Sequence, residues 1–156
     1  MDTAAFLSHL RAQPTYSGQI AHIEQIPPRG ADHAELEKPL AGSLRDCLDQ
    51  HGLLPLYAHQ AEAVNTARQG KNVMVATPSA SGKTLCYNIA VSEAILTERG
   101  CRALYLFPTK ALAQDQLRNL QELFCPGLFR VEEFATFDGD TPQAERAEIR
   151  KQSRII

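Results

Sequence analysis

Gly82-Lys83-Thr84 closes a run of small residues that starts Thr77-Pro78-Ser79-Ala80-Ser81. Lysine brings a full positive charge, small side chains let backbone N–H groups approach a ligand, and threonine offers a hydroxyl to a hard cation. Together they suit the phosphates of a nucleotide. The amides must come from the first turn of a helix, where N–H groups lack partners and the dipole favours an anion. The flanks agree: Val73–Ala76 is a short apolar run that reads as a strand, and a stretch free of Gly and Pro begins at Leu85. The strict motif has glycine where Thr77 stands, and Ala80 occupies a place where a second glycine is common. The loop is therefore expected to bend widely, without the positive φ that glycine permits.

The surrounding elements repeat a strand, loop and helix rhythm. Tyr57–Arg68 reads as a helix stopped by Gly70, and Val73–Ala76 leads into a helix over Thr84–Leu96 that Gly100 ends. Ala103–Phe107 leads into Lys110–Phe124, with Ala113, Leu117, Leu120 and Phe124 on one face before Cys125-Pro126-Gly127. Arg130–Phe137 turns at Asp138-Gly139-Asp140 into a helix with Thr141 as N-cap and Pro142 in its first turn. Such alternation predicts an α/β fold, a parallel sheet with helices on both faces and ligands at the carboxyl ends of its strands. Thr77–Thr84, Pro108–Lys110 and Asp138–Thr141 then share one rim. Ser153-Arg154-Ile155-Ile156 reads as the opening of a fourth strand that buries almost nothing, so the domain is expected to be incomplete at its C-terminal side.

Residues 1–54 read as an appendage to a core spanning 55–156. Within it, Asp2–Ala12 is a short helix, Gln19–Ile26 is extended, Pro27-Pro28-Arg29-Gly30 interrupts regular structure, and Pro39–His51 is a helix presenting Leu40, Leu44, Cys47 and Leu48. His9, His22, His33 and His51 are expected at the surface.

Composition bounds the function. The 156 residues are 44% hydrophobic and 22% charged, which suits one soluble domain with a core. No apolar run reaches the ~20 residues needed to cross a bilayer, and the start lacks the basic and apolar parts of a secretory signal. A cytoplasmic location without membrane association is expected. The four cysteines contain no Cys-x-x-Cys pair, which predicts free thiols and no zinc in this chain. With a net charge of −2 the chain lacks a broad basic face, so any nucleic acid must be gripped locally through amides and polar side chains.

Leu56-Tyr57-Ala58-His59-Gln60, Ala76–Thr84, Tyr105–Gln116 and Phe137–Pro142, in that order, resemble the first RecA-like domain of superfamily 2 DEAD/DEAH-box helicases. Within these the likeness is to the bacterial mitomycin-repair-factor branch, akin to RecQ-family DNA helicases, and it covers about Ile20 to Ile156. The resemblance implies a P-loop RecA-like sheet that binds ATP with Mg²⁺. It assigns Gln60 to adenine, with Tyr57 beside the base, and Thr77, Ser79, Ala80, Ser81, Gly82 and Lys83 to the phosphates. Lys83 would neutralise the β/γ oxygens and the Thr84 hydroxyl would coordinate Mg²⁺, giving these two the catalytic roles. Pro108, Thr109 and Lys110, with Gly139 and Thr141, would hold the backbone of a single strand, DNA rather than RNA; the acids Asp138 and Asp140 would set the turn.

No Asp-Glu-x-His or Asp-Glu-x-Asp occurs, and a second RecA-like domain with arginine fingers is missing. The implied parent is an ATP-dependent DNA helicase acting in repair, and this chain alone is expected not to turn over ATP. Two other readings fit the loop: a kinase-like phosphate-loop enzyme indifferent to DNA, or a non-catalytic nucleotide-binding module.

Overall fold

The computed structural model describes residues 2–27, 30–125 and 127–156. The expected interruptions at Pro28-Arg29 and Pro126 lie outside those residues. Contacts divide the chain into two compact units, Met1–Gly30 and Ala31–Ile156. In the first, helix α1 (Thr3–Arg11) is capped by the Asp2 carboxylate, which accepts the N–H groups of Ala4 and Ala5 at 2.9 and 3.2 Å. None of its side chains is buried.

Among its described residues the second unit holds five α-helices: α2 (Gly42–Gln50), α3 (Ala58–Arg68), α4 (Lys83–Thr97), α5 (Lys110–Phe124) and α6 (Gln143–Gln152). The division falls at Gly30 and not at residue 54, because α2 buries Leu44 and Leu48 completely in the same core as Val64, Ile89 and Phe124. Helix α3 packs along α4, and α2 touches both α4 and α5. A bidentate pair joins α3 to α4: Arg68 donates to both Glu93 carboxylate oxygens at 2.9 and 2.6 Å. Phe124, Phe129 and Phe134 continue the core in successive edge-to-face contacts, with centroids 6.0 and 5.7 Å apart.

The expected sheet is present only as fragments. Among the described residues no strand is assigned, and pairing is limited to isolated bridges. Ile155 bridges Ala103 on one side and Phe134 on the other, both in parallel. The bonds Ala103 N–H to Arg154 O, Tyr105 N–H to Ile156 O and Ala135 N–H to Ile155 O carry this three-segment ladder. The terminal segment is therefore flanked on both sides, which corrects the expectation that it would bury little: Ser153 and Ile155 are almost inaccessible. Arg154 pins it further, donating to Cys101 O and Ile95 O at 2.8 and 3.0 Å. Val73–Ala76 pairs with no described segment, and Met74 is 93% exposed. A strand is defined by a partner for its N–H and C=O groups, so an extended apolar run alone does not make one. Arg130–Phe137 is likewise not a full strand, because its start is wound into a single 3-10 turn at Val131–Glu133.

No helix of the described residues is long and apolar enough to cross a membrane. The cysteines are free, and burial pushes the Cys47, Cys86 and Cys125 thiols above their ordinary range, which lowers their thiolate fraction near neutral pH. Among the described residues, no three His, Cys, Asp or Glu side chains are grouped to hold a metal ion.

Candidate nucleotide site and the adjoining rim

The loop from Thr77 to Thr84 is tightly folded. Both Ala80 (φ 60°) and Gly82 (φ 76°) lie in the left-handed region. The expected wide bend is thus corrected: the chain makes the sharp turn and places an alanine where glycine is easier. A non-glycine residue there costs roughly 1–2 kcal/mol. Ala80→Gly is accordingly expected to stabilise the chain by roughly 0.5–1 kcal/mol, after the larger unfolded-state entropy of glycine is subtracted. A urea midpoint at or below that of the parent would show that the loop is not strained at this position.

Hydrogen bonds close the loop on its own lysine. Lys83 Nζ donates to Thr77 O at 2.9 Å and Pro78 O at 2.6 Å, with Ser81 Oγ at 3.5 Å. The Thr77 and Ser81 hydroxyls are 2.6 Å apart, and Ser79 stands exposed at the tip. Gly82 is the N-cap of α4, and no side chain caps that helix, in contrast to α1 and α5. Its first-turn amides thus belong to the loop and carry the positive end of the dipole. Thr84, half-buried, sits in that first turn.

Gln60 is 2% exposed, and both ends of its amide are engaged. Its Oε1 accepts the Tyr57 N–H at 2.9 Å, and its Nε2 donates to Gly82 O at 3.0 Å. The residue expected to face a purine instead ties the start of α3 to the Thr77–Thr84 loop. Tyr57, 41% exposed, lies beside it.

A hollow of about 670 Å³ adjoins the loop, touched by Lys83, Thr84, Val75, Phe107 and Gln116. It brings the first loop next to α5, and Tyr87 of α4 donates its hydroxyl to Gln116 of α5 at 3.3 Å. Beyond α5 a second, apolar groove of about 460 Å³ is lined by Phe107, Thr109, Lys110, Phe137 and Asp138.

The rim expected to grip a polynucleotide is assembled in part. Thr109 is the N-cap of α5, its Oγ1 accepting the Leu112 N–H at 3.2 Å; Pro108 is exposed before it. Lys110 pairs with Asp140 and lies 4.0 Å from Asp138, which joins the second loop to the third. That hydrogen bond to Asp140 raises the affinity of Lys110 for its proton. Asp138 Oδ1 accepts the Asp140 N–H at 2.7 Å, and Gly139 is exposed between them.

One expectation here is corrected. Thr141 is not the helix cap: its Oγ1 accepts the Asp138 N–H at 2.9 Å, and α6 starts one residue later with Pro142 at the cap. The hydroxyl can serve one N–H well, and the turn takes it. Sequence reasoning also passed over Arg146, which donates to Thr141 O and Asp138 O at 3.0 and 3.1 Å and lies 5.2 Å over the Phe137 ring. A lone arginine on a polar helix carries no sequence signal for that clamp.

Residues 57–156 match the DEAD/DEAH box helicase family. The uncharacterized ATP-dependent helicase YprA of Bacillus subtilis is 39% identical over 137 residues, which is 88% of this chain and 18% of that protein. The ATP-dependent helicase HRQ1 of Saccharomyces cerevisiae is 37% identical over 155 residues, 96% of this chain and 14% of that protein. The crystal structure of the DUF1998 helicase MrfA bound to DNA and AMPPNP superposes with a TM-score of 0.76 at 41% identity, covering 83% of this chain and 18% of that one. The chain thus spans less than a fifth of each of these proteins. The likeness to MrfA supports the α/β helicase fold that the bridges here only outline.

Proposed function

Since this chain belongs to the DEAD/DEAH box helicase family, we propose that it is the nucleotide-binding part of an ATP-dependent DNA helicase. The observation that carries the reading is the closed loop Thr77–Thr84, with a lysine at its centre and an uncapped helix start behind it. Residues 55–156 carry the ATP-binding portion, and Ala31–Leu54 pack onto it.

Phosphates exchange with the carbonyls of Thr77 and Pro78 for Lys83 Nζ and take the first-turn amides of α4. Ala80, Ser81 and Gly82 supply the tight backbone, Ser79 the exposed tip. The Thr84 hydroxyl, a hard oxygen in the first turn of α4, suits Mg²⁺, whose chemistry is to neutralise charge on the β/γ oxygens. Gln60 and Tyr57 mark the base end, with Gln60 linking it to the loop. Hydrolysis belongs to a protein of the relatives' full length, in the cytoplasm and serving DNA repair; the 156 residues bind nucleotide without turning it over.

MrfA was crystallised with DNA; in this reading the rim of Pro108, Thr109, Lys110, Gly139 and Thr141 takes a single strand. Phosphate contacts there position the strand without reading bases. Titration with a fluorescent ATP analogue, and separately with a labelled oligo-dT at several salt concentrations, tests both halves. Binding of nucleotide with indifference to DNA favours a kinase-like enzyme instead.

The ion pair on the rim makes a further expectation. Asp140 occupies Lys110, so Asp140→Asn frees a cation and is expected to strengthen oligo-dT binding roughly threefold to tenfold at low salt. Lys110→Ala is expected to weaken it and to flatten the log–log salt dependence by about one. Unchanged salt dependence in both variants removes Lys110 from the interface.

A further inference from the structure

The third loop is held by a cation that its helix dipole does not call for. Arg146 stands one turn into α6, near the end where the dipole favours acids, and Glu145 beside it fits that preference. The guanidinium is spent on the preceding turn instead. Its Nε donates to Thr141 O at 3.0 Å, a terminal nitrogen donates to Asp138 O at 3.1 Å, and its carbon lies 5.2 Å over the Phe137 ring.

The hydrogen bonds of that turn then leave one group over. The Asp138 N–H goes to Thr141 Oγ1 at 2.9 Å, the Asp140 N–H to Asp138 Oδ1 at 2.7 Å and the Thr141 N–H to Asp138 O at 3.3 Å. Arg146 takes the Thr141 carbonyl and shares the Asp138 carbonyl. Among the described residues the Gly139 N–H has no partner, and Gly139 is exposed. Lys110 reaches the same turn from α5, paired with Asp140 and 4.0 Å from Asp138. An open amide beside an ammonium suits one phosphate, provided the turn that carries the amide keeps its shape.

We propose that Arg146 is a positioning residue for nucleic acid: its planar guanidinium fixes the Asp138–Thr141 turn so that the Gly139 N–H and Lys110 meet one phosphate of a single strand. This rests on the reading of the rim given above. Arg146 acts through the turn and does not grip the strand, since its Nε, one terminal nitrogen and one face are already engaged.

The experiment is titration of the chain with labelled oligo-dT across a range of salt concentrations, with a urea midpoint for each variant as the check on folding. Arg146→Ala is expected to weaken oligo-dT roughly tenfold at each salt concentration while the log–log slope stays that of the parent. Arg146→Lys keeps the charge without the planar fork, and its binding is expected to remain weaker than the parent's by roughly threefold or more. In the isotope-labelled parent, the NMR resonance of the Gly139 N–H is expected to move when oligo-dT is added. A slope flattened by about one in Arg146→Ala overturns the proposal, because Arg146 would then hold a phosphate itself. Parent-like affinity in either variant overturns it too, as does a Gly139 resonance that stays in place while oligo-dT binds. If Arg146→Ala does not fold, Arg146→Lys decides by the same criteria. A parent chain that binds no oligo-dT removes the rim reading and this proposal with it, a result distinct from the others.

Discussion

Replacing Lys83 with alanine is expected to weaken ATP binding roughly 100-fold, about 3 kcal/mol, the worth of one or two charge-assisted hydrogen bonds to phosphate. The ammonium is the only cationic group in the loop, and its present partners are uncharged oxygens of that loop, Thr77 O and Pro78 O. Phosphate oxygens offer the same donor a full negative charge, so the exchange favours the ligand. The same bonds tether the loop, and the variant therefore loses some local order as well. The two effects separate by measurement: a urea midpoint reports the tether, and titration with a fluorescent ATP analogue reports the phosphate contact. Lys83→Arg keeps the charge but replaces a point donor with a planar fork, and only partial recovery is expected. ATP affinity within twofold of the parent, in a variant that stays folded, would falsify the assignment of the loop.

The helices were legible because their signals are local. Lys110–Phe124 has the bounds expected of it, Thr109 caps it, and Gly70 and Gly100 follow α3 and α4 with φ of 71° and 95°. The strands were not, because an extended run becomes a strand through a partner distant in sequence. Ile155 acquires two such partners, Ala103 and Phe134, and the segment expected at an unburied edge lies between them. Val73–Ala76, an apolar run expected to be a strand, has none among the described residues. Pattern identifies extended backbone; pairing is decided by the rest of the molecule.

The candidate site divides along the same line. The end proposed for phosphate is one contiguous loop, and Thr77, Gly82, Lys83 and Thr84 could be picked out by type and spacing. What spacing concealed was conformation: Ala80 takes a positive φ with no glycine to announce it. Asp32–Ala34 pairs with Leu56–Ala58, so His33, at the surface as expected, also stacks on Tyr57. Gln60, expected at adenine, is turned to two backbone groups, Tyr57 N–H and Gly82 O, that no motif names.

That direction makes Gly82 the least replaceable residue of the loop. Its φ of 76° disfavours any side chain, and an added Cβ would stand 2.5 Å from Gln60 Nε2, closer than such atoms approach. Gly82→Ala is therefore expected to cost roughly 1–2 kcal/mol from backbone strain, with a further ~1–3 kcal/mol from displacing Gln60 out of its buried hydrogen bonds. Nucleotide binding should be lost with it, because the cap of α4 moves. The steric part has a specific signature. In Gly82→Ala/Gln60→Ala the obstructing amide is gone, so the double variant is expected to be more stable than the sum of the single losses allows, by roughly 1–2 kcal/mol. The φ strain persists in both backgrounds and cancels from the cycle. Strict additivity in urea denaturation would mean that Gln60 and Gly82 do not touch, and that the base end of the site is not tied to its phosphate end.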